Sequence, residues 1–105
     1  MTLNRMDLYI VGGAALAVMM AMLPAMAYTG QELAGQAKIG IAEARAIALK
    51  AFPGKITDEE LEKESGGSGL RYSFDIKRRT VTQEVGVDAQ SGRVLENKKD
   101  GPDSD

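Results

Sequence analysis

The 105-residue chain contains no cysteine, no histidine and no tryptophan, and aromatic residues make up only 5% of it. The lack of cysteine and histidine excludes thiol redox centres, zinc sites of the usual ligand types, and nucleophile–histidine pairs within this chain. The 13 basic and 15 acidic residues give a formal net charge of −2, which offers no indication of nucleic-acid binding. Carboxylates, hydroxyls, Lys and Arg remain, so composition leaves Ser-Lys or paired-carboxylate catalysis open, but no Ser lies in a recognisable motif and no two acids are marked out. We expect no catalytic residues, no metal site and no cofactor.

Hydrophobic residues are concentrated at the N-terminus, where all six methionines lie within residues 1–27. Residues 8–23 form an uncharged apolar run, and Ala25 and Ala27 occupy the −3 and −1 positions of a cleavage site before Tyr28. This layout is typical of a secretory signal peptide and predicts a periplasmic or secreted protein. An uncleaved membrane anchor is the alternative, because the run and its flanks approach the ~20 residues that span a bilayer.

The segment after Ala27 begins with helical patterns. Residues 28–39 are predicted to be a helical lead-in or linker, since their apolar residues have helical spacing but Gly30 and Gly35 within them, and Gly40 directly after them, weaken a helix. Residues 41–52 predict a clearer helix, which Pro53 and Gly54 end. The apolar stripe of this helix consists of Ala44, Ile47, Ala48 and Ala51. The residues expected to point to water are Glu43, Arg45 and Lys50.

Alternation of apolar and polar residues predicts strands over residues 70–77 and 81–89. The short basic connection Lys77-Arg78-Arg79-Thr80 makes these strands an antiparallel hairpin. A shorter strand is predicted over residues 93–96, and residues 98–105 are predicted to be a disordered tail. Residues 55–64 are ambiguous, because their local pattern favours a Glu-rich helix.

The order of these elements resembles that of a PepSY domain, in particular small exported proteins that consist of a signal peptide and one such domain. The matching segments are Ala44 to Ala51 with Phe52-Pro53-Gly54, Glu60-Leu61-Glu62, Tyr72 to Ile76, and Val85 to Leu95 around a turn. The resemblance covers about residues 40–97. It implies that residues 56–64 are a strand, and an α+β fold with one main helix packed on an antiparallel sheet of three to four strands.

The resemblance also bears on function. Similar domains occur in the propeptides of thermolysin-type metallopeptidases, and no catalytic residues are known for the family. We expect a non-catalytic module that binds, restrains or regulates a peptidase in the periplasm or cell envelope. Alternatives are a homodimeric structural or sensory envelope module, and an accessory to a membrane redox or transport system. A small domain with unpaired sheet edges fits a binding role, since such edges pair with partners.

Several side chains are candidates for binding such a partner, and each has a simpler interpretation. The candidates are Glu60, Glu62, Tyr72, Phe74, Lys77, Arg78 and Arg79. The glutamates lie in an acidic segment that lacks the pattern of a calcium loop, so a solvated strand face is favoured. The two aromatic residues are expected to pack in the core. The three basic residues are fewer than a usual lipid- or phosphate-binding cluster, which favours a solvated turn.

Overall fold

The computed structural model describes residues 27–100, so all of the predicted signal peptide except Ala27 and the last five residues of the predicted tail lie outside the described residues. The elements are a short 3-10 helix (Gln31–Gln36), α1 (Ile41–Ala51), β1 (Lys55–Lys63), β2 (Leu70–Arg78), β3 (Val81–Asp88) and β4 (Val94–Lys99). The four strands form one antiparallel sheet in the order β1-β2-β3-β4. The predicted α+β fold is therefore confirmed. None of the helices within residues 27–100 is long and apolar enough to cross a membrane.

The core lies between α1 and one face of the sheet. Ala44 and Ala48 of α1 have no exposed surface, and their small side chains let the helix approach β2 and β3 closely. The sheet contributes Leu61, Leu70, Tyr72, Phe74, Ile76, Val85, Val87 and Ala89. Each of these residues is at most 5% exposed. The predicted apolar faces of the helix and the hairpin are thus the faces that pack together.

Tyr72 and Phe74 are fully buried, with stacked rings whose centroids lie 6.4 Å apart. The Tyr72 hydroxyl donates a hydrogen bond of 2.8 Å to the carbonyl of Ile39, which satisfies its one polar group and fixes the chain entering α1. The core interpretation of both residues is confirmed. We therefore remove them from the candidate partner-binding residues, because neither ring reaches the surface.

Strand β1 contains a bulge, which explains how residues 55–64 form a strand although their local pattern favours a helix. The pairing with β2 shifts between Ile56 and Asp58, which leaves Thr57 as the extra residue. Without a bulge, Ile56 and Leu61 would lie on opposite faces, because they are an odd number of positions apart. With it, they pair with Ile76 and Tyr72 on the core side. Pairing with β2 therefore outweighs the helix propensity of the glutamates.

Strand β4 extends to Lys99, so the prediction that disorder begins at residue 98 is wrong. Lys98 and Lys99 pair with Glu84 and Gln83 of β3. The N–H of Asp100 continues this pattern with a 2.8 Å hydrogen bond to the carbonyl of Thr82. Backbone hydrogen bonds hold this segment although it has no apolar side chain to bury, which is why its composition did not indicate a strand.

Arg45 makes a bidentate ion pair with Glu59, contrary to the prediction that the Arg45 side chain points to water. Its Nε and Nη2 atoms donate hydrogen bonds of 2.7 and 2.8 Å to the two carboxylate oxygens. The bulge turns Glu59 toward the helix side of the sheet, opposite Phe74. The hydrogen bond to Glu59 raises the pKa of Arg45, and the pair joins α1 to the edge strand.

Candidate protein-binding face

The sheet face that points away from α1, here called the open face, carries polar side chains from all four strands. Its members are Lys55, Asp58, Glu60, Glu62, Arg71, Ser73, Asp75, Lys77, Thr82, Glu84, Glu96 and Lys98. Side chains alternate between the two faces of each strand, so the residues between the core positions gather here. Within residues 27–100, no helix or strand packs across this face.

Three carboxylates stand directly opposite one another across neighbouring strands. Asp58 of β1 pairs with Asp75 of β2, which in turn pairs with Glu84 of β3. Partial burial raises the pKa of Asp75, and the charges of Asp100 and Asp58 raise it further. Burial and the charge of Glu96 similarly raise the pKa of Glu84. Like charges in directly opposed positions destabilise a sheet, so this row opposes folding at neutral pH.

Glu60 and Glu62 of β1 lie on the open face, as expected for a solvated strand face. Burial raises the pKa of Glu60, and the nearby charges of Glu62 and Asp58 add to the shift. Glu62 accepts a 2.8 Å hydrogen bond from the hydroxyl of Ser73. Both residues therefore belong to the same acidic surface as the Asp58–Asp75–Glu84 row.

Arg71 crosses the open face and neutralises only part of this charge. Its Nη1 lies 3.5 Å from Glu96, and its Nη2 donates a 3.1 Å hydrogen bond to the carbonyl of Ser65. The side chain passes over Gly86, where an added Cβ would lie 2.9 Å from the Arg71 Cδ. Lys98 pairs with Glu96 from the other side, at 3.0 Å. The β1 carboxylates on this face make no ion pair among the described residues, although Lys55 and Lys77 lie on the same face beyond Asp58 and Asp75.

A comparison with family profiles matches the profile described as "Peptidase propeptide and YPEB domain", PepSY, to residues 38–98. The chain belongs to the PepSY family. The matched PepSY region contains all of α1 to β3 and nearly all of β4, and thus the whole open face. Searches of curated proteins and of solved structures found no match. The PepSY family is in general non-catalytic and often forms part of peptidase propeptides or inhibitors.

Asp88 is the most constrained polar residue of this PepSY domain and is only 2% exposed. It accepts five hydrogen bonds, from the N–H and hydroxyl of Ser68, the N–H and hydroxyl of Ser91, and the N–H of Gln90. Burial alone would raise the pKa of Asp88, but the hydrogen bonds from Ser68 and Ser91 outweigh it and hold the pKa far below the ordinary range. Asp88 thus joins the glycine-rich β1–β2 loop to the β3–β4 turn.

These five bonds occupy both carboxylate oxygens of Asp88, so its role is structural. Within residues 27–100, no group of three Asp or Glu side chains is placed to hold a metal ion. The sequence places Asp88 at the end of the predicted strand 81–89, where the turn between Val85 and Leu95 begins, and indicates no binding partner for its carboxylate. The spacing from Asp88 to Ser91 and Gly92 could have indicated a side-chain-bonded turn, but the contact with Ser68 across 20 positions has no local signal.

The basic residues Lys77, Arg78 and Arg79 are exposed at the β2–β3 hairpin of the PepSY domain, as predicted. The Arg78 guanidinium lies 4.5 Å from the centre of the Phe52 ring, which covers the end of α1. Arg79 has a φ of 59°, which lies in the left-handed region of backbone conformation. Residues other than glycine rarely adopt this region outside turns. This hairpin tip therefore presents its charge in a fixed turn.

The two edge strands of the sheet, β1 and β4, differ in what hinders the pairing of a further strand. On β1, the N–H of Leu61 donates a 2.8 Å hydrogen bond to the carbonyl of Thr29, so the N-terminal segment covers part of this edge. Strand β4 carries Glu96, Lys98 and Lys99, and charged edge residues discourage pairing with a further strand. The open face is consequently a better candidate than either edge for the partner-binding surface.

Replacing Asp75 by Asn is expected to stabilise the protein by about 1 kcal/mol at pH 7, because it removes two repulsive cross-strand pairs. The raised pKa of Asp75 means that the native state binds its proton more readily than the unfolded chain does. The destabilisation by Asp75 is therefore present at neutral pH and disappears as pH falls through its native pKa toward the ordinary 3.8. Urea unfolding of both proteins at neutral pH and near the ordinary pKa measures the difference.

The matched control is Glu43→Gln, which removes one negative charge from the exposed surface of α1. This variant is expected to unfold like the unmodified protein at both pH values. A gain for Asp75→Asn that is equal at both pH values, or absent at pH 7, would show that the carboxylate row does not repel as described.

Proposed function

We propose that this PepSY protein is a non-catalytic module that binds and restrains a peptidase outside the cytoplasm. The observation that carries the proposal is the family match over residues 38–98, since the description of that family joins the domain to peptidase propeptides. PepSY domains are typically extracellular or periplasmic. The signal-peptide pattern of residues 1–27 supports the same location.

The open face is the surface we assign to the partner. Polar groups in a sheet are normally arranged to attract, yet Asp58, Asp75 and Glu84 repel one another across three strands. A partner that brings cationic side chains or N–H donors to this face would relieve the repulsion on binding. The unfavourable charge row of the unbound domain thus becomes a favourable contribution to the complex.

The available side chains also fit restraint better than catalysis. The whole chain has neither histidine nor cysteine, so a thiol nucleophile, a histidine base or a histidine metal ligand of a peptidase must come from the partner. Asp88, the carboxylate with the most strongly lowered pKa in the described chain, uses its lone pairs within the fold. What the domain offers a peptidase is therefore a shaped and charged surface.

The full chain, tagged at its C-terminus and produced in its source cells, provides the test. Peptidase activity in the material captured from the cell envelope or medium is measured, and the purified peptidase is then titrated with the full chain. We expect a saturable fall in peptidase activity that ends near one domain per enzyme. Capture of no peptidase, or of one that the chain leaves fully active at saturation, would refute the proposal.

A further inference from the structure

One end of the domain gathers five exposed cationic side chains from three separate parts of the chain. This basic end consists of Lys50, Lys55, Lys77, Arg78 and Arg79. Lys50 lies in the last turn of α1, and Lys55 begins β1 directly opposite Lys77 of β2. Arg78 lies over Phe52, which follows α1, and so connects the hairpin tip to the helix end. The sequence alone showed only the three consecutive basic residues.

The charge of the basic end is not neutralised within the part of the chain that the structure describes. The ion pairs of this part use Arg45, Arg71 and Lys98, and none involves a residue of the basic end. Lys55 and Lys77 are a directly opposed pair of like charges, which by itself destabilises the sheet. Lys and Arg side chains near an anionic lipid surface are attracted to its headgroups, and the five cations at this end add their attractions.

The path of the N-terminal segment points to the same end. Thr29 bridges Glu60 in a parallel orientation, so the chain from Thr29 back to Ala27 runs along β1 toward its first residue. Ala27 lines an open groove of about 580 Å³ together with Asp58. From Asp58, the start of β1 at Lys55 is three residues away, which is about 10 Å of strand. The residues that precede Ala27 therefore join the domain on the side of the basic end.

We propose that the basic end docks on the surface of an anionic phospholipid bilayer. The described chain leaves the domain at Ala27 on the side of the basic end, and the uncharged apolar run of residues 8–23 precedes Ala27 in the sequence. Headgroup phosphates match the unpaired ammonium and guanidinium groups in charge. The acidic open face then extends away from the bilayer. Lys55 and Lys77 lie at the end of the open face next to Asp58 and Asp75, while Lys50 comes from the helix side, and the inference holds with or without a peptidase partner.

Labelling of the full chain tests the orientation, and the lack of native cysteine allows a single attachment point. Thr80→Cys places a fluorescent label at the basic end, and Ser65→Cys places it at the opposite end of the sheet; both positions are exposed. Each protein is mixed with phosphatidylcholine vesicles, with or without phosphatidylglycerol, that carry a headgroup quencher. We expect stronger quenching for the Thr80 label than for the Ser65 label, and stronger quenching of the Thr80 label on the anionic vesicles than on the neutral ones.

A second experiment tests Lys50 and Lys55, the two cationic residues that the fold places near the hairpin tip. Lys50→Gln with Lys55→Gln, in the full chain, is expected to lower the preference for anionic over neutral vesicles on the order of tenfold. The control, Lys63→Gln with Arg93→Gln, removes two exposed charges at the opposite end and is expected to leave that preference unchanged. High salt should abolish the preference of the unmodified chain.

Three results would overturn the proposal. One is equal quenching of the Thr80 label on neutral and anionic vesicles, since the apolar run alone would then account for binding. Another is stronger quenching of the Ser65 label than of the Thr80 label. The third is an equal loss of anionic preference in the two double variants, which would mean that net charge and not the basic end is recognised.

Discussion

Asp88→Asn is expected to lower the free energy of unfolding by about 3 kcal/mol, because a buried, charged acceptor is lost and an NH₂ group is turned toward existing donors. Asp88 is 2% exposed and accepts hydrogen bonds from Ser68, Gln90 and Ser91, so no water can replace it without opening the loop. A domain of this size is stabilised by only about 4–11 kcal/mol in total. Urea unfolding followed by circular dichroism measures the loss.

The control for this substitution is Asp58→Asn, another aspartate at the sheet, whose exposed carboxylate faces Asp75. It is expected to leave stability unchanged or slightly higher. An Asp88→Asn protein that unfolds at the same urea concentration as the unmodified protein would contradict the structural role of Asp88.

Acid should remove the same contribution from the unmodified protein. Because the pKa of Asp88 is lowered in the native state, its stabilising effect is complete above the ordinary value of 3.8 and is lost as pH falls from there through the native pKa. Asp88→Asn cannot show this loss. The stability difference between the two proteins is therefore expected to shrink below about pH 4.

Phe74→Ala is expected to cost about 3–5 kcal/mol, enough to leave a large fraction of the chain unfolded. Phe74 has no exposed surface, stacks against Tyr72 and pairs with Val85 across the sheet. Removing its ring leaves a cavity at the centre of a small core that has few other side chains to fill it. Thermal and urea unfolding of the purified full chain measure the effect.

Val94→Ala is the matched control, since Val94 is a large hydrophobic residue that is 42% exposed. Its expected effect is about 0.5 kcal/mol or less. This pair also distinguishes a core role from a ligand platform. A Phe74→Ala protein with unchanged stability but weakened binding would mean that the ring serves a partner and not the core.

The hairpin and the main helix could be predicted from local pattern, because each buries one face and its periodicity appears directly in the residues. Strand β1 could not, since its glutamates favour a helix and only the pairing with β2 and the bulge beside Ile56 place its apolar residues in the core. The last residues of β4 were missed for a related reason. Their stability comes from backbone pairing with β3, which leaves no trace in composition.

The features most relevant to function depend on contacts between distant parts of the chain. The acidic segment was visible in the sequence, but the direct opposition of Asp58, Asp75 and Glu84 requires the register of three strands. The basic end likewise needs the fold to bring Lys50 and Lys55 to the hairpin tip. Local pattern therefore identified the charged segments, and only the topology showed which charges face one another.

The affinity of the captured peptidase for two charge-reversed chains tests most directly whether the open face is the binding surface. Glu60→Lys with Asp75→Lys reverses two charges within the acidic surface and relieves repulsion, so this protein should fold at least as stably as the original. Glu32→Lys with Glu43→Lys makes the same net change at exposed positions on the helix side.

Affinity for the two chains is measured by titration at equal ionic strength, with urea unfolding as the check on folding. We expect at least a tenfold loss of affinity, about 1.4 kcal/mol, for the open-face variant and a change of less than about twofold for the helix-side variant. Equal affinities for the two variants would contradict the assignment of the partner to the open face.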